Sequence, residues 1–281
     1  MKFLQQKFYD DKKVVSSFLN YNNTLKKLEN DDIDYNVKRK YVKNFTDGLL
    51  ANNLITEDIL NSVTDINAWS IDFPSWHGEF DEEKGKDVFV IGAEPHIHFK
   101  YLQTVYGFNN EKSIENYITD DHPIFKYLSE IVSSKFNVSK KDALEKCYLT
   151  DLFPLSPFRG NGLAVGSADK IDQILGGNRD WYQIRQTYAK SHLSDEIKGV
   201  NPKLIITQGK AVFENLMNAL EINDKINLIP VIPKTGKKQY IRKVNWSDIP
   251  IISVPHIGTK RMRGFWNNNI EQVKTIIQQI E

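Results

Sequence analysis

The sequence predicts an α/β fold: a three-layer α/β/α sandwich with a central, mostly parallel four-stranded sheet, plus an N-terminal helical extension. Four short apolar runs carry this prediction, at residues 87–92, 147–153, 202–209 and 249–254. Runs of this length without polar alternation are typical of strands that are buried on both faces of a parallel sheet. Segments with helical spacing lie between the runs, and strands that alternate with helices favour a layered α/β architecture.

The composition is that of an ordinary globular protein. The chain has 281 residues, of which 40% are hydrophobic and 26% charged, and its net charge is +1. Because this charge gives no protein-wide attraction for polyanions, a nucleic-acid partner has to be bound by local basic patches. The single cysteine, Cys147, excludes a disulfide framework and a metal site built from thiolates. With no signal-peptide pattern and no apolar run of about 18 residues, we predict a cytoplasmic monomer without membrane contact.

Residues 1–68 are expected to form the helical extension, and residues 69–281 the main domain. Val14 and Phe18, and later Tyr41 and Phe45, follow helical spacing. Residues 69–86 lack this spacing and end in an acidic, glycine-containing segment that predicts a surface loop. No catalytic pattern occurs in the first 68 residues, so the extension is interpreted as packing on the main domain.

The remaining elements are predicted from hydrophobic periodicity and from residues that favour turns and helix ends. Residues 156–162 are rich in glycine and predict a loop, and residues 227–246 predict a β-hairpin with a basic turn at 234–238. A helix is expected directly after Gly209. Further helices are predicted at 97–106, 122–136, 139–146, 167–175, 180–197 and 266–280.

Ligands of parallel α/β sheets gather beyond the carboxyl ends of the strands. The four predicted strand ends carry Glu94, Asp151, Gln208-Gly209 and His256. After His256 we expect a short basic loop before the last helix begins near Phe265. A histidine at a strand end, beside positive charge, suits chemistry on an anionic polymer.

The strand ends form four motifs: Gly92-Ala-Glu-Pro95, Thr150-Asp-Leu-Phe-Pro-Leu155, Ile206-Thr-Gln-Gly209, and His256 with Arg263-Gly-Phe265. Their order and spacing resemble the uracil-DNA glycosylase superfamily over about residues 86–281. The second motif is similar to the Asn-Leu-x-Pro-Leu segment of the single-strand-selective branch. Arg263-Gly-Phe265 is similar to the Arg-Gly-Phe tripeptide of the classical branch. The iron–sulfur branches need cysteines that this chain lacks.

The resemblance implies hydrolysis of an N-glycosidic bond in single- or double-stranded DNA, with no cofactor. Glu94 would stabilise the cationic sugar and orient the attacking water, and His256 would donate a hydrogen bond to O2 of the departing base. Gly92 would belong to the base pocket, with Phe108 as a stacking platform. The base must first be flipped out of the DNA, which costs a few kcal/mol of unstacking.

The resemblance also implies how DNA would be held. Met262 is the candidate wedge in the minor groove, with Lys260 and Arg261 beside it for the phosphates. Arg263 belongs to the same segment. Further phosphate contacts are expected from Lys237, Lys238, Arg242, Lys243 and Arg159.

Three departures from the superfamily pattern bear on the substrate. Glu94 replaces Asp or Asn, which keeps the charge but moves it by one methylene. Asp151 replaces the Asn that reads the base, and an ionised carboxylate can only accept hydrogen bonds, so it pairs with the 4-amino group of cytosine. His96 replaces a Tyr that closes the pocket beside base C5, which leaves room for a 5-substituent. Because excision of ordinary cytosine would destroy the cell's own genome, we predict a modified cytosine as the substrate, such as those of some phage DNA, and a role in phage defence.

Other interpretations stay open. Glu94 could cap the following helix, Asp151 could cap a helix or pair with Arg159, and His256 could be a loop histidine with structural partners. Glu94, His96 and His98 do not predict a metal site, since His-x-His spacing is common by chance. The alternative functions are a uracil-DNA glycosylase in base-excision repair, a DNA-binding protein without catalysis, and a nucleoside hydrolase.

Overall fold

The structure is a computed structural model that describes residues 69–71, 75–76, 84–92, 123–152, 155–159, 163–164, 180–233, 238–257 and 260–280. The helical extension predicted for residues 1–68 lies outside these ranges, as do the helices predicted at 97–106 and 167–175. The described chain is α/β, as predicted. No helix among the described residues is long and apolar enough to cross a membrane.

The described part of the chain contains ten strands and five helices. The strands are β1 (Trp69–Ile71), β2 (Ser75–Trp76), β3 (Val88–Gly92), β4 (Cys147–Asp151), β5 (Leu155–Arg159), β6 (Leu163–Ala164), β7 (Leu204–Gln208), β8 (Asn227–Val231), β9 (Gln239–Trp246) and β10 (Ile249–Val254). The helices are α1 (Pro123–Phe136), α2 (Lys140–Glu145), α3 (Asp180–Val200), α4 (Lys210–Ala219) and α5 (Lys260–Gln278).

The chain divides into two compact units. The first comprises Met1–Phe73, Glu94–Asn110 and Asp151–Gly199, and the second Pro74–Ala93, Glu111–Thr150 and Val200–Glu281. The predicted domain boundary at residue 68 falls outside the described residues and stays a prediction.

In the first unit, β1, β5 and β6 form a small antiparallel sheet in that order. The loop predicted at 156–162 is therefore partly wrong, because Leu155–Arg159 is a strand that pairs with β1. Proline normally argues against a strand, but β6 pairs only with Phe158 and Arg159, so Pro157 has a partner strand on one side only. A proline is tolerated where one ladder is absent.

The main sheet has seven strands in the order β2-β4-β3-β7-β10-β9-β8. The four predicted strands are present and form its centre, where β3 pairs with β7 and β7 with β10 in parallel. The prediction of a four-stranded sheet is wrong, because antiparallel strands extend both sides. The predicted hairpin adds β8 and β9. Ser247 (φ 48°) and Asp248 (φ 69°) connect β9 to β10, and two positive φ values suit a tight hairpin turn.

The core of the second unit lies around the central strands and the last helix. Every residue of β3, β4 and β7 is buried. The ring of Phe89 stacks on Tyr148 at 5.3 Å between centroids. Tyr127 of α1 stacks on Trp266 of α5 at the same distance, and the Tyr127 hydroxyl donates to Oδ1 of Asn267 over 2.5 Å. The two helices are thus joined by apolar and polar contacts.

Gly85 and Lys86, predicted to end a surface loop, instead pack against the chain, whereas Lys84 is exposed. Gly85 has φ +64°, and a Cβ atom on it would lie 1.8 Å from the carbonyl oxygen of Val200, so only glycine fits. Lys86 is buried, and its ammonium donates to the carbonyl of Glu145 over 2.8 Å. Burial lowers the pKa of Lys86 below that of an exposed lysine. This contact ties the start of β3 to the end of α2.

Asp87 fastens the amino ends of three central strands. Its backbone carbonyl accepts from the amides of Lys203 and Leu204, and its carboxylate pairs with Lys146 (2.5 Å) and Lys203 (2.9 Å). Partial burial opposes ionisation of Asp87, but the hydrogen bonds from Lys146 and Lys203 outweigh it and hold the pKa below its usual value. The charged form of Asp87 therefore stabilises the fold.

Asp87→Asn is expected to lower the free energy of unfolding at pH 7 by up to about 1 kcal/mol, because the ion pairs are partly solvent-screened. A carboxyl group with a depressed folded pKa stabilises the protein above its unfolded pKa, and this contribution is lost as pH falls through the folded value. The gap between wild type and variant should therefore shrink from pH 7 to pH 2 in urea unfolding. Asp224→Asn, at an exposed carboxylate, is the matched control. A gap that stays constant with pH would contradict this account.

Candidate active site

The carboxyl ends of the parallel strands define one edge of the main sheet. Strands β3, β7 and β10 run parallel and end at Gly92, Gln208 and Val254. The amide of Val88 donates to the carbonyl of Lys146 over 3.0 Å, so β3 and β4 begin side by side. The neighbouring strand β4 therefore runs in the same direction and ends at Asp151. This is the edge where the sequence placed its candidate residues.

His256 follows β10 at this edge. Its neighbours Pro255 and Ile257 are buried, while His256 is exposed. Gly209 adopts φ +99°, and a Cβ atom on it would lie 3.7 Å from Cβ of His256. The amide of Gly209 also donates to the carbonyl of Val254 over 2.9 Å. The turn after β7 and the turn after β10 are thus in contact, with the histidine at the surface.

Asp151, the predicted base reader, is the last residue of β4 and is only 4% exposed. Leu152, which follows it, is also buried. A carboxylate at such a position has lost most of its water and depends on hydrogen-bond partners. Burial of this kind suits either recognition of a ligand group or a structural role, the two interpretations that the sequence left open.

Gln208 is a second buried polar residue at this edge. Its side chain is 3% exposed, and no hydrogen-bond donor among the described residues reaches its Oε1 atom. A buried acceptor without a partner costs about 1–3 kcal/mol. Native proteins keep few such groups, and each needs an explanation such as a ligand, ion or water. The sequence marked Gln208 only as a strand end, although a polar residue that closes an apolar run before glycine is a signal for a site.

The basic segment after His256 is helical, which corrects the predicted loop. Helix α5 begins at Lys260, not near Phe265, so Lys260, Arg261, Met262 and Arg263 form its first turn. Lysine, arginine and methionine are good helix formers, and the buried residues Trp266, Asn269, Val273 and Ile277 continue one helical face. Gly258 and the cations that follow it had suggested a loop.

The first turn of α5 concentrates positive charge at the amino end of a helix. Such charge opposes the helix dipole, which favours anions at this end. An anion bound there would be attracted both by the free backbone amides and by the cationic side chains. Arg263 is exposed and Met262 is half-buried, while the side chains of Lys260 and Arg261 lie outside the described part. The turn follows His256 by only a few residues.

The structure describes only some of the remaining predicted site residues. Lys238 is described and exposed, with its ammonium 5.4 Å from the centroid of the Tyr240 ring. Arg159 is the last residue of β5, but its side chain is not described. Glu94, His96, Phe108 and Lys237 lie outside the described residues, and their predicted roles stay predictions.

The described residues offer neither a metal site nor a reactive thiol. No three His, Cys, Asp or Glu side chains among them are grouped so as to hold a metal ion. Cys147 is fully buried, and its Sγ donates to the carbonyl of Ala143 over 3.2 Å. Burial raises the pKa of this thiol far above its ordinary value, so it stays protonated and is not a nucleophile.

Neither a scan of protein-family models nor a search of curated proteins finds a match for this chain. A functional assignment therefore depends on its motifs and on the geometry of the strand ends.

Proposed function

We propose that the protein is a DNA glycosylase that releases a flipped-out, 5-substituted cytosine and leaves an abasic site. The observation that carries this proposal is the exposed His256 beside Gly209, where the parallel strands of the sheet end. That position fits the histidine motif of the superfamily which the sequence resembles. A three-layer sandwich, with helices on both faces of the sheet, is the architecture that we propose with this function.

The proposed reaction is hydrolysis of the bond between the base and C1′ of the sugar. As the bond breaks, its electron pair stays with the base. Positive charge therefore develops on the deoxyribose and negative charge on the base. His256 would donate an N–H to base O2 and stabilise the anion, and Glu94 would stabilise the cationic sugar and orient water. Water then bonds to C1′, and its proton is taken up as the base leaves neutral. Preorganised donors of this kind act without reorganisation during the reaction.

Asp151 is proposed to select the base. Because an ionised carboxylate only accepts hydrogen bonds, it would repel O4 of uracil and accept from the 4-amino group of cytosine. Burial of Asp151 supports this role, since a buried acceptor discriminates strongly between a donor and an acceptor on the ligand. His96, in place of a tyrosine, would leave room for the 5-substituent. Modified cytosines occur in some phage DNA, so we propose a role in phage defence.

The first turn of α5 is proposed to hold the DNA backbone. Arg263 is exposed there, and Lys260 and Arg261 precede it in the same turn. A half-buried Met262 within a helix is held more firmly than a wedge on a loop, which reduces the entropy lost when it enters the groove. Lys238, Arg242, Lys243 and Arg159 would add phosphate contacts.

Oε1 of Gln208 is proposed to accept an N–H of the substrate. Gln208→Met is therefore expected to raise the KM of base release by about 10-fold, because losing such an acceptor costs on the order of 1.5 kcal/mol. The same change should leave the unfolding free energy equal or higher, since it removes a buried oxygen to which no described residue donates. Steady-state kinetics and urea unfolding measure the two effects. Gln208→Glu keeps an acceptor and is the control. A variant that loses stability but keeps its KM would show that Gln208 is structural.

Formation of abasic sites tests whether the protein is an enzyme. DNA carrying 5-hydroxymethylcytosine or its glucosylated form is incubated with the protein and treated with alkali, which cleaves the strand at abasic sites. We expect cleavage with wild type and none with Glu94→Gln, which should still bind DNA. Binding without cleavage by wild type would favour a DNA-binding protein without catalysis. Efficient uracil release, with no action on the modified DNA, would favour a repair glycosylase.

A further inference from the structure

The hairpin of β8 and β9 forms one border of the main sheet, and its two faces differ. Directly opposed residues of an antiparallel pair share a face. Leu228 lies opposite Arg242, and Pro230 opposite Tyr240. The other face carries Val231 and Ile241, which are both fully buried. One face of the hairpin therefore packs inwards, and the face with Leu228, Pro230, Tyr240 and Arg242, called here the hairpin platform, is directed away from that core.

Apolar side chains are exposed on the hairpin platform. Leu228 is 52% exposed, and Ile232, which continues the same alternation just after β8, is 64% exposed. They are the large hydrophobic residues most open to solvent in the described part of the chain. Pro230 between them is exposed as well. An apolar patch of this kind, rimmed by polar residues, is typical of an interaction surface.

The same segment concentrates positive charge. Residues 225–246 contain no Asp or Glu and six basic residues, whereas the whole chain has a net charge of only +1. The nearest acidic residues, Asp224 and Asp248, flank the segment. The six are Lys225, Lys234, Lys237, Lys238, Arg242 and Lys243. A sequence segment that is rich in Lys and Arg and contains no acidic residue fits a polyanionic partner.

Tyr240 adds an aromatic ring to the hairpin platform, opposite Pro230 of β8. Tyr240 is half-buried, and the ammonium of Lys238 is 5.4 Å from its ring centroid. Arg242 follows two residues later on the same face of β9. Grooves that bind single-stranded nucleic acids combine such cations with aromatic side chains on which bases stack. In a duplex the base faces are hidden by stacking, so they cannot cover Leu228 and Ile232.

We propose that the hairpin platform binds single-stranded DNA. Unstacked bases would pack on Tyr240, Leu228 and Ile232, and the phosphates would bind Lys238 and Arg242. The binding itself does not depend on the proposed glycosylase reaction, although the choice of DNA over RNA rests on that proposed function. The platform would make the protein prefer unpaired DNA and would hold the strand on either side of a base entering the active site.

Fluorescence anisotropy with a labelled thymidine oligonucleotide of about 20 nucleotides tests the platform, a length that exceeds common single-strand site sizes. Tyr240→Leu keeps the bulk and removes the aromatic face, and we expect a Kd about 5- to 100-fold higher. Lys238→Gln with Arg242→Gln should weaken binding and reduce the slope of log K against log salt by about 1.4, at about 0.7 per lost single-strand contact. Lys141→Gln, at an exposed lysine of α2, should bind like wild type.

This oligonucleotide contains no cytosine, so its binding can be interpreted even if the glycosylase proposal fails. Far-ultraviolet circular dichroism and thermal unfolding identify any variant that fails to fold, and Leu228→Ser with Ile232→Ser then provides a substitution at exposed positions only. Wild-type affinity in all platform variants would overturn the proposal. So would equal affinity for a duplex, tighter binding of RNA of the same sequence, or platform-dependent binding of phosphatidylserine vesicles without DNA binding.

Discussion

Replacing His256 with alanine is expected to lower the rate of base release by about 10²–10³, the usual cost of losing one preorganised donor to a developing anion. The histidine is exposed at the carboxyl edge of the sheet, so its removal leaves no cavity in the core. Gly209, which lies beside His256, does not need the histidine side chain to keep its positive φ. The loss should therefore appear in kcat, with DNA affinity and unfolding free energy close to those of wild type.

Two further variants sharpen this prediction. His256→Gln keeps an N–H donor near the same position and should recover part of the lost rate. Gly209→Ala places a side chain at φ +99°, a strained conformation for alanine, while the new methyl itself would make only ordinary contact with His256 at 3.7 Å. Relief of that strain would shift the turn beside His256, so the rate should fall. Single-turnover kinetics on modified DNA measures both. Unchanged kcat in His256→Ala would remove the histidine from the reaction.

Replacing Trp266 with alanine is expected to lower the unfolding free energy by about 3–5 kcal/mol, as for other large-to-small changes in cores. Trp266 is fully buried in α5, stacks on Tyr127 of α1 and meets Phe265 edge to face at 5.7 Å. It follows Arg263 by one turn of the helix. Loss of this anchor would therefore also loosen the basic first turn and weaken DNA binding. Urea unfolding and DNA affinity measure the two effects.

Trp266→Phe is the matched control for this position. No acceptor among the described residues reaches the indole Nε1, so removal of its N–H leaves no partner unsatisfied. The stacking on Tyr127 survives in a smaller ring, and we expect a cost below about 1.5 kcal/mol. A cost for Trp266→Ala no greater than that for Trp266→Phe would contradict the role of this side chain as the anchor of α5.

Apolar runs were sufficient to predict the centre of the fold. The four strands β3, β4, β7 and β10 lie where apolar segments occur, because burial on both faces favours apolar side chains at successive positions. Their polar residues, such as Asp151 and Gln208, lie near the carboxyl ends. The hairpin of β8 and β9 was also predicted, but not the pairing of β9 with β10 that makes it part of the main sheet. The two-residue connection Ser247-Asp248 between β9 and β10 was a usable signal, since so short a link brings the strands together.

The borders of the fold could not be predicted in the same way. Strands β1 and β2 contain three and two residues, too few for any periodicity. The start of α5 was predicted too late, because the glycine and the cations after His256 were interpreted as a loop. Trp266 and Asn269 are buried on one face of this helix, and such tertiary burial cannot be seen in a local sequence window.

The candidate site was predictable as a location and less so as a set of contacts. His256 and Asp151 lie at the predicted strand ends because parallel strands bring their carboxyl ends to one edge. That no described residue donates to the buried oxygen of Gln208 becomes known only from the three-dimensional structure. The roles of Glu94, His96 and Phe108 stay predictions from the resemblance.

The central claim, cleavage of an N-glycosidic bond to a modified cytosine, is tested most directly by identifying the bases released into solution. The protein is incubated with a panel of DNAs containing cytosine, uracil, 5-methylcytosine, 5-hydroxymethylcytosine or glucosylated cytosine, and free bases are identified by mass spectrometry. We predict release of a 5-substituted cytosine, abolished in Glu94→Gln and strongly reduced in His256→Ala. Release of uracil alone, or of no base from any DNA in the panel, would contradict the claim.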